Sequence, residues 1–123
     1  MKNQAYRMAM LFDFYGDLLT ERQREFYDLY YNEDLSLAEI AENYGISRQG
    51  VRDVIVRAEA AMTEIEDKTH IIRRFQQSRA AIAAIDQAAD RLLQSIDGRS
   101  YSDAMLDEIA RTIKENVAKL EQE

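Results

Sequence analysis

Residues 36–57 read SLAEIAENYGISRQGVRDVIVR. Ser36 and Glu39 have the spacing of a capping box, with Leu35 and Ile40 as its hydrophobic staple. They open a short helix that must stop at Gly45, the residue that enters the left-handed region most cheaply. Ser47 caps a second helix, and Ile46 and Val51 make a second staple. Residues 37–54 therefore match a helix-turn-helix. Ala41 is the small residue where the two helices cross, and Gly45 is the turn residue four positions later. Ile40, Ile46, Val51 and Val54 tie both helices to a core.

Outward from this motif the chain is helical throughout. Met8, Leu11, Phe12 and Tyr15 share one helix face, which Gly16 ends. Thr20 and Gln23 form another capping box, and Phe26, Leu29 and Tyr30 are the apolar positions behind it. From Val51 to Asp97 the apolar spacing lapses at Asp67-Lys68-Thr69-His70 and slips phase near Arg79, and a break is expected at 67–70. A seam then runs through Ile72, Phe75, Ile82, Ile85, Ala89, Leu92 and Ile96. Asp97-Gly98 is a turn. Ser102 caps a last helix with its seam at Leu106, Ile109, Ile113, Val117 and Leu120. Five or six helices and no strand are expected.

Composition agrees. The chain has 123 residues, four glycines, no proline and no cysteine, so turns are few and thiol chemistry is excluded. Nine of the eleven aromatics fall in residues 1–44, and alanine dominates after residue 58. The expected class is all-α, with a helix-turn-helix domain at 1–66 and an Ala-rich helical arm at 67–123. No apolar run is long enough to span a bilayer, and the N-terminal stretch lacks the apolar segment of a signal peptide. A cytoplasmic protein with no membrane contact is the expectation. The two arm seams, each apolar on both sides, further predict a homodimer.

On the second helix of the motif, Arg48, Gln49, Arg52, Asp53 and Val56 project outward, with Arg57 at the edge. Arg48 and Arg52 share a face at i, i+4. Arginine can pair with guanine and glutamine with adenine. Arg48, Gln49, Arg52 and Arg57 are thus the candidate nucleic-acid-binding residues, for DNA or structured RNA. Charge opposes tight autonomous binding. The net charge is −7, and residues 1–60 hold 7 basic against 11 acidic side chains. Specific binders neutralise about 6–10 phosphates.

The other polar groups read as structural. His70 lacks a second His or Cys. Glu64, Glu66 and Asp67 suit a solvated helix end. Asp13 and Asp17 carry no cleft signal. Tyr27, Tyr30 and Tyr31 suit a small aromatic core with hydroxyls at its rim better than a base-stacking platform. No phosphate loop, dinucleotide glycine pattern or nucleophile elbow is present. No enzyme, no cofactor and no metal are expected.

Residues 18–60, from Leu18-Leu-Thr-Glu-Arg through Leu35-Ser-Leu-Ala-Glu-Ile-Ala to Ile46-Ser-Arg-Gln-Gly-Val, resemble region four of bacterial sigma factors. Leu11-Phe-Asp-Phe-Tyr-Gly, Leu29-Tyr-Tyr, Ser47-Arg-Gln-Gly-Val and Asp53 add a closer likeness, over residues 6–68, to the YlxM family. These are small bacterial proteins described as helix-turn-helix DNA-binding proteins, linked by gene neighbourhood to the signal recognition particle pathway. The resemblance implies a regulatory role in that pathway and particle components as partners. The alternative it leaves is a protein-interaction accessory of the particle in which the motif is only a scaffold. The family commonly has an aromatic at the place of Arg52 and a lysine at the place of Val56.

Overall fold

The computed structural model describes residues 5–122. Helix α1 is Ala5–Tyr15, followed by a 3-10 turn at Gly16–Leu18; α2 is Glu21–Tyr31, α3 Leu37–Tyr44, α4 Arg48–Thr69, α5 Ile71–Asp97 and α6 Asp103–Glu121. No strand occurs among the described residues. The chain forms two compact units, the first running to Ile72 and the second beginning at Arg73.

The helix starts follow the local signals. Thr20 Oγ1 accepts from the Gln23 amide at 3.2 Å, and the Gln23 side chain accepts from the Thr20 amide at 3.0 Å. Ser36 and Glu39 do the same at 3.1 and 3.2 Å. Ser47 caps α4 through the Gly50 amide at 2.9 Å, and Ser102 caps α6 through the Met105 amide at 3.2 Å. Each such cap satisfies donors that a helix cannot satisfy itself.

Between α3 and α4, Gly45 takes φ +67° and its amide donates to the Ala41 carbonyl. Nothing lies within 4 Å of a Cβ built there, so a side chain would meet only backbone strain. Gly45→Ala is therefore expected to cost about 1–2 kcal/mol. Gly45→Asn should cost less, because Asn tolerates this region. Urea unfolding of the two variants against the parent checks both values.

Packing in the first unit centres on α4, which meets α1, α2 and α3. Leu11, Phe26, Tyr27, Ile40, Val51, Ile55 and Met62 are its largest fully buried side chains. The α4 face differs from the expected one in one respect. Ile55, with Ala58 and Met62, is fully buried, while Val54 is only half-buried at the margin of the core. A helix returns to one face after 3.6 residues, and from Val51 the four-residue step wins because α4 is approached from three sides.

Aromatic contacts join α1, α2 and α3. Phe12 stacks on Tyr27 at 5.1 Å, and Phe26 meets Tyr44 edge-on at 4.9 Å. The Tyr27 hydroxyl donates to the Met8 carbonyl at 2.6 Å, and the Tyr31 hydroxyl to the Glu59 carboxylate. Burial, reinforced by the Glu59 charge, pushes both phenols well above the ordinary tyrosine range. A folded-state pKa above the unfolded one gives stability that is complete below the unfolded pKa, about 10, and lost as pH rises past it. Unfolding free energy is thus expected to fall with pH above about 10. Denaturant titrations across that range check this, with tyrosinate absorbance appearing together with unfolding for these two groups.

At the end of α4, His70 takes φ +54° and its amide closes on the Glu66 carbonyl at 2.8 Å. The break expected at 67–70 is here. Glu66 Oε1 accepts both the Tyr15 hydroxyl at 2.5 Å and the Ile72 amide at 2.9 Å. A residue of α4 thereby satisfies an orphan donor in the first turn of α5.

In the second unit α5 and α6 form an antiparallel hairpin. Arg91 pairs with Glu108 at 3.4 Å, and Ser95 reaches the Met105 sulfur at 3.4 Å. Beyond Ile72, the buried positions of α5 are Ala81 and Ala88, one heptad apart. They line shallow hollows with Asn116 and Ile109 of α6. Here the seam departs from expectation. Phe75, Ile82 and Ile96 stay about half exposed, because α6 covers the neighbouring face, which carries Ala81 and Ala88.

Candidate nucleic-acid interface

The N-terminal half of α4 exposes Arg48, Gln49 and Arg52, while Val51 and Ile55 hold the opposite face in the core. The three exposed side chains line one open groove of about 690 Å³ with Tyr30 of α2 and Ser36, Leu37 and Ala38 at the start of α3. Residues from three helices thus meet there. Tyr30, Leu37 and Ala38 carried no sequence signal for this place, because only the turn at Gly45 folds the start of α3 back beside α4.

Gln49 is not free in this arrangement. Its Nε2 donates to Asp53 Oδ1 at 2.8 Å. The i, i+4 spacing of the two residues was the available sequence signal. The pair leaves the Gln49 carbonyl oxygen to accept, and places a carboxylate on the same outward surface as Arg52. Arg57 is exposed but does not line the groove. Nine residues beyond Arg48, it stands roughly half a turn around the helix axis. The four candidate residues therefore divide into a cluster of three and a separate flank. Val56 is exposed at 37% and adds an apolar spot between them.

The remaining polar candidates have structural surroundings. Glu64 pairs with Lys68 at 2.9 Å, which holds each more firmly in its charged form. Glu66 ties Tyr15 to the start of α5, and Asp17 pairs with Arg24 at 3.1 Å. Asp13 is exposed, and His70 ends α4. No group of three potential metal ligands occurs among the described residues. None of the described helices is long and apolar enough to cross a membrane.

Known proteins place the chain in the same class. The profile of the family described as "Putative helix-turn-helix protein, YlxM / p13 like" matches residues 2–102. This is longer than the stretch 6–68 seen in the sequence motifs and takes in all of α5. A UPF0122 protein of Bacillus thuringiensis (strain Al Hakam) is 47% identical over 87 residues, covering 71% of this chain and 79% of the relative. One from Desulforamulus reducens is 44% identical over 85 residues, covering 69% and 73%. One from Halalkalibacterium halodurans is 41% identical over 106 residues, covering 79% and 97%. With the motif built by α3, Gly45 and α4 and with relatives this similar along most of their length, the chain belongs to the YlxM/p13-like helix-turn-helix family.

Proposed function

We propose that the protein is a nucleic-acid-binding regulator that acts through the groove beside α4. The observation carrying this reading is the convergence of Arg48, Gln49 and Arg52 with the start of α3 in one open concavity. Two guanidinium groups supply charge and forked donors for phosphate or a guanine edge. The amides at the start of α4 face the same way as an anion-binding helix terminus does. Arg57 serves as an additional phosphate contact on the far flank.

The charge balance bears on the target. Between residues 47 and 59 three arginines stand against Asp53 and Glu59, a net of 3 − 2 = +1. So few cations give a short salt slope and weak binding to bare duplex. This favours a target on which protein contacts add to those with nucleic acid, a ribonucleoprotein in the cytoplasm. The family resemblance names the signal recognition particle as one. The protein is then a non-enzymatic accessory of that particle. In the second reading, favoured by the whole chain's net charge of −7, it contacts the particle's protein and the motif is a scaffold.

The test titrates the whole chain against duplex DNA and structured RNA at two salt concentrations. Binding that weakens with salt is expected. Salt-insensitive association, or association only with protein, would replace the nucleic-acid reading with the scaffold one.

A further inference from the structure

We propose that α5 is a self-association helix, pairing antiparallel with α5 of a second copy of this chain. The first observation is an exposed apolar row. Phe75 (45%), Ile82 (54%), Leu93 (59%) and Ile96 (51%) are exposed, and half-buried Ala89 lies between them. Phe75, Ile82, Ala89 and Ile96 fall seven residues apart, and Leu93 is one turn beyond Ala89, so all five lie along one stripe. The stripe is separate from the face closed by α6. That face carries Ala81 and Ala88, which precede Ile82 and Ala89 by one residue and so lie about 100° around the axis.

The second observation selects the occupant. Residues 71–84 carry Arg73, Arg74 and Arg79 and no acid. Residues 85–97 carry Asp86, Asp90 and Asp97 with Arg91, and Arg91 is committed to Glu108 of α6. The helix is thus basic at one end and acidic at the other. A second copy laid antiparallel matches it, whereas a parallel copy sets like charge on like.

The stripe fixes the register. A two-fold axis near residue 84 sets Phe75 opposite the partner's Leu93 and holds the two Ile82 side chains about one helical turn apart along the pair. The same axis places Arg79 between the partner's Asp86 and Asp90. Arg79 flanks the stripe, with its guanidinium 6.0 Å from the centroid of the Phe75 ring. No ion pair to Arg79, Asp86 or Asp90 within the chain is found among the described residues, so the charges on this flank remain to be matched across the interface. Flanking charges of this kind set partner and orientation in helix pairs.

The experiment uses full-length chains and sedimentation equilibrium. The parent is expected to be dimeric at high micromolar concentration. Arg79→Asp, and separately Asp86→Arg with Asp90→Arg, should each weaken self-association by about tenfold or more. Both sets are exposed, and circular dichroism should show an unchanged helical fold. Mixing the two variant chains should restore a heterodimer, since every flank contact becomes attractive again. A monomeric parent, charge variants as dimeric as the parent, or a mixture that fails to associate would each overturn the proposal. Orientation is read by oxidising a mixture of Phe75→Cys and Leu93→Cys chains, which contain no other thiol. Cross-links between the two variants are expected; predominant linkage of Phe75→Cys chains to each other would overturn the antiparallel arrangement.

Discussion

Replacing Arg48 and Arg52 together with alanine is expected to abolish nucleic-acid binding and leave the fold intact. Both side chains are exposed and neither belongs to the core, since Val51 and Ile55 carry the buried face of this part of α4. An arginine that reads a base edge contributes about 1–3 kcal/mol, so losing two multiplies to roughly 30-fold at the least and beyond ten-thousandfold at the most. The single variants separate two modes. If Arg52 reads a base, Arg52→Ala weakens one sequence more than another. If it holds a phosphate, the loss is uniform and the salt slope falls by about one unit. Arg57→Ala, outside the groove, is expected to show only the second behaviour. Titrations of these variants and the parent against DNA and RNA at two salt concentrations measure all of this. An unchanged affinity in the double variant would make the motif a scaffold.

Ile55→Ala is expected to destabilise the first unit by about 2–5 kcal/mol. The side chain is fully buried at the centre of a core fed by α1, α2, α3 and α4, and the rings of Phe26 and Tyr27 in the same core are themselves fully buried. Closure around the lost atoms is therefore limited and a cavity remains, which adds to the lost transfer energy. Val54→Ala, one residue earlier and half-buried, should cost clearly less. Val51→Ala, which removes less volume from an equally dry site, should cost about 1–3 kcal/mol. Urea unfolding gives the three values, and a larger loss at Val54 than at Ile55 would contradict the packing described for α4.

These two results bear on how far the sequence could be read. Every helix start with a Ser or Thr cap was legible, because a capping box acts over three residues and needs no tertiary information. Gly45 was legible for the same reason. Val54 against Ile55 was not, since steps of three and four are equally good helical spacings and only the approach of neighbouring helices chooses between them. On α5 the pattern of large apolar residues was right only in part: Ile72 is buried and Ile85, Ala89 and Leu92 are half-buried, but Phe75, Ile82 and Ile96 are exposed, and further burial goes to Ala81 and Ala88, which hydropathy underweights. Glu66 was read as part of a solvated acidic end. Its real partners, Tyr15 and Ile72, are set by the joint between α4 and α5, and Tyr15 is 51 residues away in sequence. The groove was half legible. Arg48, Gln49 and Arg52 followed from helical phase, but Tyr30 and the first turn of α3 enter only through tertiary folding.

Helix α4 carries the groove-lining arginines on one face and the centre of the core on the other. The candidate recognition surface therefore has no hinge of its own, and a ligand seated there would be thermodynamically linked to folding of the whole first unit. A ligand that binds only the folded form raises unfolding free energy by RT ln(1 + [L]/Kd), about 2.7 kcal/mol at a hundred times Kd. Heat-induced melting in the presence of candidate oligonucleotides thus becomes an affinity measurement that needs no label and can rank unrelated sequences side by side.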